Sequence, residues 1–107
     1  IEHKKLEFDL AKDGTIGLES AFGALLTVLP LEVIIDKLTS SKMIFNTKNN
    51  SINQNKIADL SLFVPDGNWI FQRENIGSKS KNSAFIGQQM KGKVIGIYNN
   101  GKLILNN

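Results

Sequence analysis

The residue pattern predicts an α/β chain with a helical first part and a strand-rich second part, and three observations carry this. Between Gly17 and Leu29 the apolar residues Leu18, Ala21, Phe22, Ala24, Leu25, Leu26, Val28 and Leu29 fall on every side. A surface helix shows an apolar stripe of about 100° or more and a polar remainder, so this stretch reads as a helix covered on most sides. From Asn46 to Asn55 the chain is Asn-rich and almost without apolar residues, which makes it a loop and a natural boundary. Beyond it, two β-rich runs, KGKVIGIY and KLIL, flank Asn99-Asn100-Gly101. An Asn-Gly turn between such runs is the signature of a tight hairpin.

In chain order, IEHKKLEFD places Leu6 and Phe8 two apart, as in a short strand or an extended loop. AKDG follows as a turn, Asp13-Gly14 being a favoured turn pair. Thr15 suits the N-cap of the first helix, and Glu19 falls in its first turn, where the dipole favours an anion. Pro30 breaks that helix and suits the first position of a second. Leu31, Ile34, Ile35 and Leu38 then recur at i, i+3, i+4 and i+7, an amphipathic helix with Glu32, Asp36 and Lys37 outward. KMIFN fits either a helical turn or a strand. In the second part, KIADLSLFV reads as a strand carrying Ile57 and Leu62, Pro65-Asp66-Gly67 as a turn, and NWIFQ as the return strand. RENIGSKSKNSAFIGQQ is irregular and polar, anchored by Phe85 and Ile86.

At 107 residues the chain is one domain's worth at most. Its 41% apolar and 21% charged residues belong to the ordinary globular class. The absence of cysteine removes disulfides, thiolate nucleophiles and Cys-based metal sites, and fits a reducing, cytoplasmic setting. The net charge of +3 is mild, and lysines such as Lys79, Lys81, Lys91 and Lys93 do not interleave with aromatics. That excludes a base-stacking surface, so no nucleic-acid partner is expected. The longest apolar run is interrupted by Thr27, Pro30 and Glu32, short of the ~20 residues a membrane span needs. The chain opens on Ile1 rather than methionine, which suggests that an upstream part is missing.

No active site can be assembled from these residues. His3 is the single histidine and has no partner at metal-ligand spacing. One terminal His and no Cys exclude the usual nucleophile-base sets. Ser78 to Lys81 matches S-x-x-K, but its companion motifs are absent. Gly92 to Gly96 matches G-x-x-x-G without membrane meaning in a strand. Asp9, Asp13 and Glu19 are the clustered carboxylates, and they lack a base. The chain is therefore expected to hold no catalytic residue, no metal site and no cofactor of its own.

Three stretches together carry a family resemblance. EFDLAKDGTIGLESAF resembles the pattern E-F-x-x-A-P-F-G-x-x-G-L-E-T-A of dihydroorotases through Glu7, Phe8, Ala11, Gly14, Gly17, Leu18, Glu19 and Ala21. KIADLSLFVPD resembles their A-D-L-x-L-F-D-P strand through Ala58, Asp59, Leu60, Leu62, Phe63 and Pro65. SKSKNSAFIGQQMKGKVIGIYNNGKLIL resembles S-K-x-x-N-T-P-F-x-G-x-x-L-x-G-x-V with a later glycine, through Ser78, Lys79, Asn82, Phe85, Gly87, Gly92, Val94 and Gly101. Order and spacing agree from about Glu7 to Leu105, nearly the whole chain.

The resemblance implies a C-terminal fragment of a (β/α)8 barrel protein of the amidohydrolase superfamily, with metal ligands at the strand ends. Residues 1–45 would end the eighth barrel unit, as the substrate-side loop and closing helices. Residues 46–107 would be the C-terminal strands of a flanking β-sandwich built from both chain ends. The histidine ligands, bridging lysine and catalytic aspartate would lie upstream. Zinc is then expected in the intact protein if it is catalytic, and none in this segment. The implied activity is metal-assisted, reversible hydrolysis of the cyclic amide of dihydroorotate to carbamoyl aspartate, in pyrimidine biosynthesis. In the family a P-F-G turn contacts the substrate's ring amide or carboxylate, and it matches Lys12, Asp13 and Gly14. The resemblance therefore assigns Asp13 and Gly14 to substrate binding. Only Gly14 agrees with the pattern, and Asp13 sets a carboxylate where an anionic substrate would bind. That departure points to a second class, a non-catalytic homologue serving as a scaffold for aspartate transcarbamoylase. A third is a free-standing β-rich interaction module. Expected partners are the rest of the same polypeptide, or copies of the chain itself.

Overall fold

A computed structural model describes residues 14–47 and 51–106 of the chain. Helix α1 spans Leu18–Leu25, α2 Leu31–Thr39 and the single turn α3 Ser41–Ile44. Strands β1 (Leu60–Ile70), β2 (Gln89–Asn99) and β3 (Lys102–Leu105) follow, with a 3-10 turn at Arg73–Asn75. The strands form one antiparallel sheet in the order β1-β2-β3. The predicted order of helices before strands holds. KMIFN resolves as the helical turn α3 and the loop after it.

The hairpin forms where the Asn-Gly pair predicts it, with Asn99 opposite Lys102. Asn100 and Gly101 have φ of 50° and 75°, the pair of positive angles that matches the right-handed strand twist. The expected hairpin at Pro65-Asp66-Gly67 does not form. Leu60–Val64 and Asn68–Ile70 pair with the same strand, β2, on either side of a bulge. Pro65, Asp66 and Gly67 stand there opposite one residue, Gly92, whose φ is +66°. The indole Nε1 of Trp69 donates to the Gly92 carbonyl at 2.8 Å and holds the bulge closed. Pro65 has no N–H to offer a ladder, and a bulge asks for none. An 11-residue β2 is long enough to pair with both halves, so the chain bends there without turning back. The strand also starts later than expected: Ile57 lies outside it and is exposed.

Helix α1 lies on β2, and the approach is close at Gly23, where a Cβ would come 3.1 Å from Cβ of Met90. Two apolar clusters result. Phe71, Ile76 and Met90 form one, with Ile16, Ala24, Trp69 and Phe85 packed around them. Phe22, Leu26 and Ile34 form the other, with Leu25, Leu31, Phe63 and Val94 beside them. Phe22 and Phe63 stack at 4.9 Å between centroids, within the usual range for aromatic pairs.

Full cover of α1 is not what the structure shows. The helix ends at Leu25, and Leu18 is 91% exposed. α2 runs as its periodicity predicts, with Pro30 as the extended residue just before it. Of its apolar stripe only Ile34 is fully buried, while Ile35 and Leu38 remain exposed. The outer edges of β1 and β3 have no partner strand among the described residues. No helix among them is long and apolar enough to cross a membrane.

Candidate functional site

The segment Gly14–Gly17 enters α1 without packing around its glycines. Among the described residues, a Cβ at Gly14 or at Gly17 would meet nothing within 4 Å, and both Gly14 and Thr15 are exposed. Ile16 alone is seated, against the cluster around Met90. Hydrogen bonds to a loop some 68 residues later therefore set where this segment lies.

Those bonds converge on Asn82. Its amide Nδ2 donates to the Gly14 carbonyl at 2.6 Å, and its own carbonyl accepts the Ile16 N–H at 2.8 Å. The Thr15 hydroxyl donates to the same Asn82 carbonyl at 3.1 Å and accepts the Ala84 N–H at 2.8 Å. One turn further on, both carboxylate oxygens of Glu19 are engaged. They accept the Gly77 N–H at 2.6 Å and the Ser78 N–H at 2.9 Å. A carboxylate accepting two N–H groups makes charge-assisted bonds, stronger than neutral ones. The Lys81 ammonium closes the far side by donating to the Ile76 carbonyl.

This corrects the expected N-cap. Gly17, not Thr15, precedes α1, and no side chain caps it. Thr15 is drawn away because its hydroxyl finds both a donor and an acceptor on the 82–84 strand of loop. Glu19 does sit in the first turn. Its carboxylate reaches across to the second part of the chain, a role that local dipole reasoning cannot foresee.

Of the two residues assigned to substrate binding, Asp13 lies outside the described residues, as do Lys12 and the segment with Leu6 and Phe8. Gly14 is exposed beside the Asn82 tie. The first and third motif stretches, far apart in sequence, meet here through Gly14, Glu19, Ser78 and Asn82. Reading them separately missed Asn82 and Thr15. The available signal was that Glu19, Ser78 and Asn82 all stand on motif positions. On the other flank of α1 a groove of about 560 Å³ runs between the helix and the 84–90 segment, lined by Ala21, Leu25, Val28, Phe85 and Met90 among others. Among the described residues no three His, Cys, Asp or Glu side chains cluster as a metal donor set.

Comparison with known proteins follows the same lines. No family model matches the chain. It is 36% identical over 104 residues to the dihydroorotase of Chlorobaculum tepidum, an alignment covering 91% of this chain and 24% of that protein. It is 38% identical over 102 residues to the dihydroorotase of Endomicrobium trichonymphae, covering 88% and 24%. Against the dihydroorotase of Elusimicrobium minutum the identity is 33% over 115 residues, covering 100% and 26%. The chain thus spans about a quarter of the length of the curated relatives it matches.

Proposed function

We propose a function from one premise: this chain belongs to the dihydroorotase family. It is the C-terminal quarter of a cyclic amidohydrolase that interconverts carbamoyl aspartate and dihydroorotate, and it works in the cytoplasm. Residues 1–45 end the eighth barrel unit, and residues 46–107 supply strands of the flanking sandwich. The described residues offer no metal donor set, so they do not fit the zinc that the family implies, and other residues would have to hold it. What this chain supplies is a wall of the substrate pocket. Backbone groups at Asp13 and Gly14 meet the substrate's ring amide or carboxylate.

The observation that supports this reading is the tie between Gly14 and Asn82. An exposed glycine with nothing packed around it is nonetheless held at a defined place by a side chain from the second part of the chain. A backbone that must present its polar groups to a ligand needs such fixing. The test is dihydroorotate formation from carbamoyl aspartate by the full-length protein, as its gene encodes it. Turnover is expected there and none from residues 1–107 alone. Absence of turnover in the full-length protein would overturn the enzyme reading.

One sequence observation favours the scaffold for aspartate transcarbamoylase instead: Lys12 and Asp13 replace the proline and phenylalanine of the family turn. At an effective dielectric of ~20 and ~5 Å, the Asp13 carboxylate opposes an anionic ligand by a few kcal/mol before screening. Replacing Lys12→Pro and Asp13→Phe together in the full-length protein should then tighten binding of a dihydroorotate analogue. Unchanged affinity in calorimetry would remove this turn from the site.

A further inference from the structure

We infer that Asn82 is a positioning residue for the substrate-side loop, an inference that rests on the reading of Gly14 above. Three consecutive residues, Gly14, Thr15 and Ile16, each bond to Asn82. Two of those bonds use its backbone carbonyl, which any residue would supply. The bond to the Gly14 carbonyl uses the side-chain amide, and a carbonyl acceptor requires the NH2 end of that amide. Among the described residues nothing lies within 4 Å of a Cβ at Gly14 or Gly17, so none of them offers a van der Waals contact there to take over if the amide is lost. Ile16 stays seated in the apolar cluster and acts as the pivot. Without the amide, the backbone at Gly14 swings about that pivot while α1 and the sheet stay in place. A specific side chain, remote in sequence, thereby decides how the loop faces its ligand.

This reading separates Asn82 from Glu19. The Glu19 carboxylate binds N–H groups of residues 77 and 78 from within α1, and so ties the helix to the loop. In the first part of the chain, Asn82 bonds instead to the segment ahead of the helix. Its loss should disturb the loop's orientation and leave global stability nearly unchanged, since an exposed hydrogen bond contributes little to folding.

The experiment uses the full-length protein with Asn82→Ala, Asn82→Asp, Thr15→Val and Thr15→Ser. Asn82→Asp keeps the size but removes the donor, and should behave as Asn82→Ala does. Both should raise KM for dihydroorotate about fivefold, the worth of one hydrogen bond, with kcat and the unfolding midpoint little changed. Thr15→Ser keeps the hydroxyl and should retain the wild-type KM, whereas Thr15→Val should raise it. Backbone order parameters give a second readout: Gly14 should become more mobile in both Asn82 variants, while Ile16, held by the backbone carbonyl of residue 82, should stay fixed. An Asn82→Asp protein with wild-type KM, or with wild-type order at Gly14, overturns the inference. If the unmodified protein turns over no dihydroorotate, the enzyme reading fails by itself. Order at Gly14 then decides alone, raised mobility supporting the positioning role and unchanged order overturning it.

Discussion

The two apolar clusters of this chain flank the same helix and sheet, yet they are covered to different degrees. Phe71, Ile76 and Met90 are all buried. β2 lies beneath, α1 above, and the 76–88 segment wraps the side, with Phe71 bonded to Gln88 and Gly87 through its backbone. Met90 is 1% exposed. At the α2–α3 end Ile34 is buried, but Leu38, Met43, Ile44 and Phe45 face outward, Phe45 with 75% of its surface exposed. The difference lies in hydrogen bonds more than in apolar content. The first cluster is fastened by ties between the helix entry and the later loop, whereas α2 has only its apolar stripe to hold it. With one fully buried residue out of four, this stripe leaves most of its apolar side chains in contact with solvent.

The largest expected effect is in the closed cluster. Phe71→Ala should destabilise the chain by roughly 3–5 kcal/mol through lost burial and the cavity left behind. Urea unfolding followed by fluorescence of Trp69, the single tryptophan, reads this directly, since its ring lies edge-on to Phe71 at 5.9 Å. A loss below about 1 kcal/mol would mean the cluster is no tighter than the open end.

Next in size is the bulge. At Gly92 a Cβ would lie 2.6 Å from Cδ1 of Leu26 and 2.7 Å from the Val64 carbonyl, on a backbone with φ of +66°. Gly92→Ala combines overpacking with left-handed strain and should cost roughly 2–4 kcal/mol in the same assay. A near-neutral result would show that β1 and β2 slide easily at the bulge.

Glu19→Gln should be milder, about 1 kcal/mol, because one amide oxygen can still accept one of the two N–H groups. Its distinguishing readout is local: protection of the Gly77 and Ser78 amides from exchange should fall. Equal protection in both proteins would place the tie elsewhere.

The smallest effect on stability, below about 0.5 kcal/mol, is expected at the open surface, and it carries different information. The isolated 107 residues should associate at micromolar concentration, through uncovered apolar faces and the free edges of β1 and β3. Leu18→Lys should reduce light scattering without changing the unfolding midpoint. A charge placed at Phe22 would not test this surface, since Phe22 is buried against Phe63 and its replacement would unfold the chain. A monodisperse monomer would favour the free-standing module.

Local chemistry was enough to place α1, α2 and the last hairpin from sequence, though not the end of α1 at Leu25 or its cap. An apolar run ended by Pro30, a 3.6-residue stripe and an Asn-Gly pair each act through their near neighbours. Family membership was equally legible, because motif spacing survives without coordinates. The Pro65–Gly67 bulge was not, since the same three residues suit a turn or a bulge. Only the presence of a β2 long enough to pair on both sides decides between them. Thr15 and Asn82 were out of reach for the same reason: a hydroxyl takes the nearest good partner, and the nearest one in space is 67 residues away. Sequence by itself determined which segments curl and which extend, because those are preferences of a few adjacent dihedrals. Tertiary structure decided which apolar face is covered and which loop is held, because burial and long-range hydrogen bonds depend on what else arrives.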